Sequence, residues 1–177
     1  MARAGGLFVT RVTRDARAED LPAIDRLYRT SFVETFGPLY SPEDLAMFLA
    51  QFTPEAWAAE FADPHYAFRV AELDDEPVGY AKLGPLKLPA NPVVEAAELH
   101  QLYMLSAAHG SGLGAQLMDW VLATARTRGA GELFLSVFTE NHRAQRFYRR
   151  YGFEIVGPYH FMVGNQADED VIMRLAL

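Results

Sequence analysis

The stretch AAHGSGLGAQLMDW, residues 107–120, constrains this chain more than any other, because Gly110, Gly112 and Gly114 alternate and then run directly into a helical apolar pattern. Glycine enters left-handed backbone conformations without a Cβ penalty, and a helix N-terminus presents free N–H groups at the positive end of its dipole. The spacing predicts a strand-to-helix turn that holds an anion such as a pyrophosphate. No Lys-Ser/Thr follows the last glycine, which argues against a Walker-type nucleotide loop. GSGLGA also fits the dinucleotide pattern G-x-G-x-x-A through Gly110, Gly112 and Ala115. Such loops, however, open the first βα turn of a chain and are answered by an acid at the end of the next strand. Here the loop comes late, and the next strand ends at Val137-Phe138 with Glu140 the nearest acid.

The patterns around the loop supply its context. LFVTRVT (7–13) alternates as a strand, and Asp20 before Leu21-Pro22 is placed to cap a helix carrying Ile24, Leu27, Tyr28 and Phe32 on one face. SPED (41–44) and TPEAW (53–57) each put a hydroxyl cap before proline and an acid, and so open two short amphipathic helices. YAFRVAEL (66–73) and PVGYAKLG (77–84), joined by Asp74-Asp75-Glu76, read as an antiparallel hairpin, followed by a proline-rich loop. A strand AELHQLYML (97–105) then leads to the glycine loop, a helix over about 112–128, a strand ELFLSVF (132–138), a helix over about 141–150, and strands near 153–161 and 169–176. The chain is expected to form one α/β domain over 1–177, a mixed sheet with helices on both faces.

Composition removes several function classes. There is no cysteine, and the five histidines do not fall at metal-binding spacing, so neither a thiolate nucleophile nor a metal centre is expected. A net charge of −7 argues against a nucleic-acid surface. No apolar run approaches the length of a signal segment or membrane span, and a cytoplasmic protein without membrane contact is expected. The charge is uneven: residues 15–76 hold 14 of the 23 acids against four arginines. Those acids are either solvated helix faces or a field that draws a cation.

A second constellation lies in NHRAQRFYRRYGFEIVG (141–157). Asn141 can cap a helix on which Asn141, Ala144 and Tyr148 line up, while Arg143, Arg146 and Arg150 share another face. Tyr148 reads either as a core aromatic with its hydroxyl at the surface or as a phenol with a task.

In this order and separation the two motifs resemble the GNAT superfamily of acyl-CoA-dependent N-acetyltransferases. Its pyrophosphate-loop pattern, Arg/Gln-x-x-Gly-x-Gly/Ala, falls on residues 109–114, with His109 standing where Arg or Gln is usual. Its Asn-x-x-Ala-x-x-x-Tyr followed by Gly-Phe falls on Asn141, Ala144, Tyr148 and Gly152-Phe153. SFVETFGPLYSPEDLAMFL (31–49), VGYAKLG (78–84), ELHQLYML (98–105) and FMVGNQADEDVIM (161–173) are similar to the PaiA-type bacterial spermine/spermidine acetyltransferases. The resemblance implies a mostly antiparallel, twisted sheet of about seven strands with a splayed central parallel pair. It implies acetyl-CoA as cosubstrate without a metal, and direct transfer to a primary amine, a small amine or polyamine. Acetylation of a protein N-terminus or lysine, and a non-catalytic acyl-CoA-binding module, remain alternatives; a homodimer is compatible with all three.

The same resemblance assigns roles. The backbone of Leu102, Tyr103, Met104 and Leu105 would pair with the pantetheine arm, and His109, Gly110, Ser111, Gly112, Leu113, Gly114 and Ala115 would hold the pyrophosphate. Asn141 would bond the arm, Ala144 is small where it passes, and Tyr148 would be the general acid. Glu98 is the expected base through water, with His100 sharing its strand parity. The uneven charge, rather than the resemblance, adds that the acids of the first 76 residues, Glu34 in particular, with Asp168, Glu169 and Asp170, would steer a cationic acceptor, and that Arg143, Arg146 and Arg150 would favour the CoA phosphates.

Overall fold

The structure, a computed structural model, describes residues 9–177. Its elements run β1 (Arg11–Asp15), α1 (Leu21–Phe36), α2 (Pro42–Leu49), α3 (Pro54–Ala62), β2 (Ala67–Leu73), β3 (Glu76–Pro85), β4 (Ala96–Met104), α4 (Leu113–Thr127), β5 (Glu132–Phe138), α5 (His142–Arg150), β6 (Glu154–Val163) and β7 (Gln166–Ala176). The first strand starts later than its alternation suggests, and residues 7 and 8 of that pattern lie outside the described residues. The caps of α2 and α3 are as expected: Ser41 Oγ accepts from Asp44 N and Thr53 Oγ1 from Ala56 N, both at 3.1 Å. Asp20 is different. It ends a 3-10 turn over Ala18–Asp20, and its carboxylate takes the Arg17 N–H and the Arg14 guanidinium instead of capping α1. An arginine fork outcompetes a helix N–H for a carboxylate two elements can share.

Seven strands form one sheet in the order β1-β2-β3-β4-β5-β7-β6, antiparallel except for β4 beside β5. The β2–β3 turn is tighter than the sequence suggests. Asp74 and Asp75 both have positive φ, 51° and 65°, and Glu76 already belongs to β3. That is the twist-matched two-residue hairpin geometry, which aspartate tolerates better than most residues.

The sheet divides the core. On one face α1, α2 and α3 pack Ile24, Tyr28, Phe32, Phe48 and Trp57 against Phe68, Val70 and Tyr80. On the other, α4 and α5 pack Leu113, Leu117, Met118, Val121 and Tyr148 against Ala71, Ala81, Leu83, Leu99, Leu133 and Leu135. A smaller cluster of Leu88, Phe134 and Ile172 lies under the proline-rich loop.

Two irregularities interrupt the middle of the sheet. The parallel pairing of β4 with β5 covers only Ala96, Ala97 and Glu98, after which the strands part. In the β3–β4 register Lys82 faces Gln101 but Leu83 faces Leu99, so β4 carries one extra residue at His100. The bulge turns Glu98 and Gln101, three apart, to the same face.

Candidate functional site

Where β4 and β5 diverge, a cavity of about 1050 Å³ opens, bounded by the glycine loop and α5 at one end and by α1, β6 and β7 at the other. Its first wall is backbone. Leu105 N–H donates to Val78 O at 2.9 Å, so by strand alternation Tyr103 also bonds toward β3, and the N–H and C=O of Leu102 and Met104 face the gap. Of the four residues expected to pair with an extended ligand, two present backbone groups to it. The other two differ: the Tyr103 ring still lines the cavity, whereas Leu105 packs with the α1 cluster.

The glycine loop presents unpartnered backbone amides to the cavity. Gly110 and Gly112 have φ of 78° and 87°, and Gly112 forms the N-cap of α4. The amides of Gly110, Gly112, Gly114 and Ala115 find no acceptor among the described residues. A Cβ built at Gly110, Gly112 or Gly114 meets nothing within 4 Å. Gly114 is the informative one, since it sits in the first turn of α4 with neither positive φ nor a crowding protein neighbour. Nothing in the fold requires a bare Cα there, and close approach of a ligand would. Leu113 does not belong to this surface: its side chain is fully buried in the core and its N–H reaches Ser111 Oγ.

His109 gains a partner that spacing could not reveal. Its Nε2 lies 3.2 Å from Met104 O, and its Nδ1 lies 2.6 Å from Arg143 Nη1 on α5. Arg143 can only donate, so the ring is the tautomer that carries its proton on Nε2. Burial and the Arg143 charge both hold the imidazole below its ordinary pKa. The positive charge absent from residue 109 is thus supplied by Arg143, across the cavity mouth.

On α5, Asn141 Oδ1 accepts from Ala144 N at 3.1 Å and is committed to the cap, leaving its amide N–H₂ for the cavity. Ala144 and Tyr148 lie on the same wall. Tyr148 is both a core aromatic and a cavity residue. Its ring packs edge-on against Phe147 and Phe153 in the core, and its side chain lines the cavity. Burial alone pushes its phenol well up, so the hydroxyl keeps its proton through the neutral range.

At the opposite end the side chains turn polar. Glu98 Oε2 accepts from Lys87 N and Leu88 N at 2.7 and 2.9 Å, and Oε1 lies 3.3 Å from His100 Nδ1. His100 Nε2 in turn meets Pro85 O at 2.9 Å, and burial lowers its pKa. Glu98 and His100 are therefore brought together, and together they tie the proline-rich loop to β4. Nearby, Tyr80 donates to Gln101 Oε1 at 2.9 Å, and buried Lys82 pairs with Glu60 at 2.6 Å.

Asp168 and Asp170, two residues apart on β7, both line the cavity, whereas Glu169 points outward. Asp168 accepts from Tyr40 O–H and from Gln166 Nε2. Burial, then the charge of Asp168, raises the Asp170 carboxyl to about 7. Neither acid pairs with a lysine or arginine among the described residues. Glu34, expected at the acceptor site, is exposed on α1 and is not part of the lining; its helix neighbours Ser31 and Thr35 are. Ser31, Tyr40 and Gln101 carried no motif. Asp168 and Asp170 are expected, with Glu34 and Glu169, to draw a cation, and their shared parity on β7 is what brings these two to the cavity and leaves Glu169 outside.

A family model described as "Acetyltransferase (GNAT) family" matches residues 21–153. An uncharacterized N-acetyltransferase of Mycobacterium tuberculosis is 39% identical over 137 residues, which is 77% of this chain and 84% of that protein. The L-methionine sulfoximine/L-methionine sulfone acetyltransferase of Pseudomonas aeruginosa is 31% identical over 146 residues, 81% of this chain and 80% of that one. Among solved structures, the PaiA N-acetyltransferase of Thermoplasma acidophilum in complex with coenzyme A superposes with a TM-score of 0.75 at 21% identity, covering 95% of this chain and 99% of that one. At that identity the likeness speaks for the fold.

Proposed function

Because this chain belongs to the acetyltransferase (GNAT) family, we propose that it moves an acetyl group from acetyl-CoA to a small cationic primary amine, with a polyamine the favoured acceptor. The observation that supports this reading is one cavity with a loop of unpartnered amides at one end and, at the other, two buried aspartates that pair with no lysine or arginine among the described residues. The bare amides of Gly110, Gly112, Gly114 and Ala115, with Arg143 beside them, suit a pyrophosphate. The open edge of β4 at Leu102 and Met104 suits the amides of a pantetheine arm, and Ala144 leaves room for it. When bound, acetyl-CoA supplies an activated acetyl thioester whose carbonyl carbon an amine nitrogen can attack.

The chain's own residues then handle protons. Tyr148 Oη, held in its neutral form by burial, donates to the departing sulfur. A cysteine intermediate is impossible, since the chain has none. The acceptor must reach the reaction as a free base, although a lysine-like ammonium has a pKa near ~10.4.

The charge of the acceptor end favours a polyamine over an amino-acid analogue. A zwitterionic acceptor would want a free cation for its carboxylate, and Lys82, the buried cation of that wall, is already paired with Glu60. Release of CoA, followed across a panel of polyamines, monoamines, amino-acid analogues and peptides, tests the reading. Polyamines are expected to give the highest kcat/KM. Preference for a peptide N-terminus, or acetyl-CoA binding without turnover of any amine, would reject it.

A further inference from the structure

A carboxylate that is to deprotonate an ammonium needs lone pairs available to the acceptor. Glu98 is poorly free for this: Oε2 already takes two backbone N–H groups and Oε1 faces His100. Its geometry is that of a latch between β4 and the loop after β3.

Asp170 has the complementary surroundings. It is 7% exposed, lies in register between Phe138 of β5 and Tyr159 of β6, and lines the cavity on the same face as Asp168. The groups that face it are Asp168 on its own strand, Ser136 from β5, Tyr159 from β6 and Tyr103 from β4. Glu98 acts on the same Tyr159, and Tyr40 reaches the site through Asp168. No lysine or arginine among them neutralises the pair. Tyr103 lines the same cavity, and burial, then the charges of Tyr148 and Asp170, raise its phenol.

Across the cavity, on α1, the Ser31 hydroxyl is buried at 3% exposure and finds no hydrogen-bond partner among the described residues. A buried hydroxyl left unpaired is destabilising, and a ligand that donates a hydrogen bond to it relieves that cost. An unsatisfied acceptor on one wall and an acid pair on the other describe a seat for a group with several N–H donors.

We propose that Asp170 is the catalytic base of this enzyme, receiving a proton from an acceptor ammonium held between the Asp168–Asp170 pair and the Ser31 hydroxyl. The proposal rests on the chain being an amine acetyltransferase. The acceptor nitrogen sheds two protons in all. One passes to an Asp170 carboxylate oxygen before the N–C bond forms. As the C–S bond breaks, the Tyr148 proton goes to sulfur, and the second nitrogen proton restores the phenol. Asp170 returns its proton to solvent, so each turnover releases one proton. Asp168, fixed by Tyr40 and Gln166, positions the ammonium and keeps its neighbour basic.

The test combines a titration of the ligand-free protein with pH–rate profiles. Carboxyl-carbon NMR on protein labelled at aspartate should show one resonance titrating near 7 that vanishes in Asp170→Asn. With a polyamine acceptor, Asp170→Asn should lose the acid limb of kcat/KM and fall by at least ~100-fold, the scale of a general base. Thermal stabilisation by acetyl-CoA should persist. Asp170→Glu should keep a shifted limb, and Glu98→Gln should keep the wild-type limb. Asp170→Asn with an unchanged limb and a rate within ~3-fold of wild type, or an Asp170 resonance titrating only near ~4, overturns the assignment. A wild-type protein that acetylates no amine would instead sink the reading beneath it, and the NMR titration would still report on Asp170.

Discussion

Two residues separate what the fold needs from what the reaction needs. Tyr148 packs in the core and lines the cavity, and it is the proposed proton donor; Phe keeps the packing while removing the hydroxyl. Tyr148→Phe is expected to lower kcat by ~10-fold or more while leaving acetyl-CoA affinity within ~2-fold; steady-state kinetics with a binding titration would show it. An unchanged kcat would leave Tyr148 with its packing role alone. Gly114 makes the opposite separation. It occupies an ordinary helical position with open space around it, so Gly114→Ala should raise unfolding stability by ~0.5–1 kcal/mol through helix propensity. The added methyl should also weaken acetyl-CoA binding, because it enters the space the free amides face. A stability gain without an affinity loss would mean that the loop does not hold its ligand closely at that residue. Alanine at Gly110 or Gly112 should lose on both counts, since each has positive φ.

At the scale of elements, α2 is fastened to the sheet through its N-terminus. Asp44 Oδ1 accepts from Asn165 N at 2.7 Å, and Gly164, at φ 59°, brings the β6–β7 turn so close that a Cβ would lie 2.5 Å from Asp44 Cα. Gly164→Ala should push α2 off that turn and lower Tm by several degrees, as ~1–2 kcal/mol of backbone strain does in a chain of this size. Because α2 carries Phe48 in the acceptor wall, the KM for amine should rise while acetyl-CoA affinity holds. Equal losses for both ligands would show a general loosening. Elements of this kind were largely legible in the sequence: period-2 runs gave the strands, and hydroxyl-proline-acid triplets gave the starts of α2 and α3, because each rests on neighbours in the chain. The cofactor end of the cavity was legible for the same reason, its glycines and the Asn141–Tyr148 row being local patterns. What escaped depends on contacts distant in sequence. Arg143 meets His109 only because α5 docks beside the loop, and Asp20 leaves its cap because Arg14 reaches it. Beside Asp168 and Asp170, which the charge pattern already names, the acceptor end draws on Ser31, Tyr40 and Gln101, three segments that no spacing rule connects, and the bulge at His100 resets the parity that grouped His100 with Glu98.

For the molecule as a whole, five of the fourteen acids in residues 15–76 have a lysine or arginine partner, and the other nine are exposed or half-buried. Asp20 and Glu72 pair with Arg14, Asp25 with Arg29, Asp15 with Arg69 and Glu60 with Lys82. Asp168 and Asp170 are buried and pair with no lysine or arginine among the described residues, which has consequences for stability and for encounter. Asp170 binds its proton more tightly folded than unfolded, so its contribution to stability is present below about pH 4 and is lost as pH rises through about 7. Asp170→Asn removes that slope, and the variant's Tm should exceed that of wild type by more at pH 8 than at pH 5 in thermal melts at the two values. A constant difference would mean that Asp170 titrates alike in both states. The same pair lies at the end of a cavity with low-dielectric walls, a geometry that focuses a field onto an approaching cation. A polyamine carries several charges into that field and a monoamine one. Raising ionic strength from ~0.01 to ~0.15 M shortens the Debye length from ~30 to ~8 Å. The kcat/KM for spermidine should therefore fall several-fold over that range, and that for a monoamine of similar length should change much less. Parallel declines would trace the salt effect to the phosphate-binding end, where Arg143, Arg146 and Arg150 line the cavity and acetyl-CoA is common to both reactions.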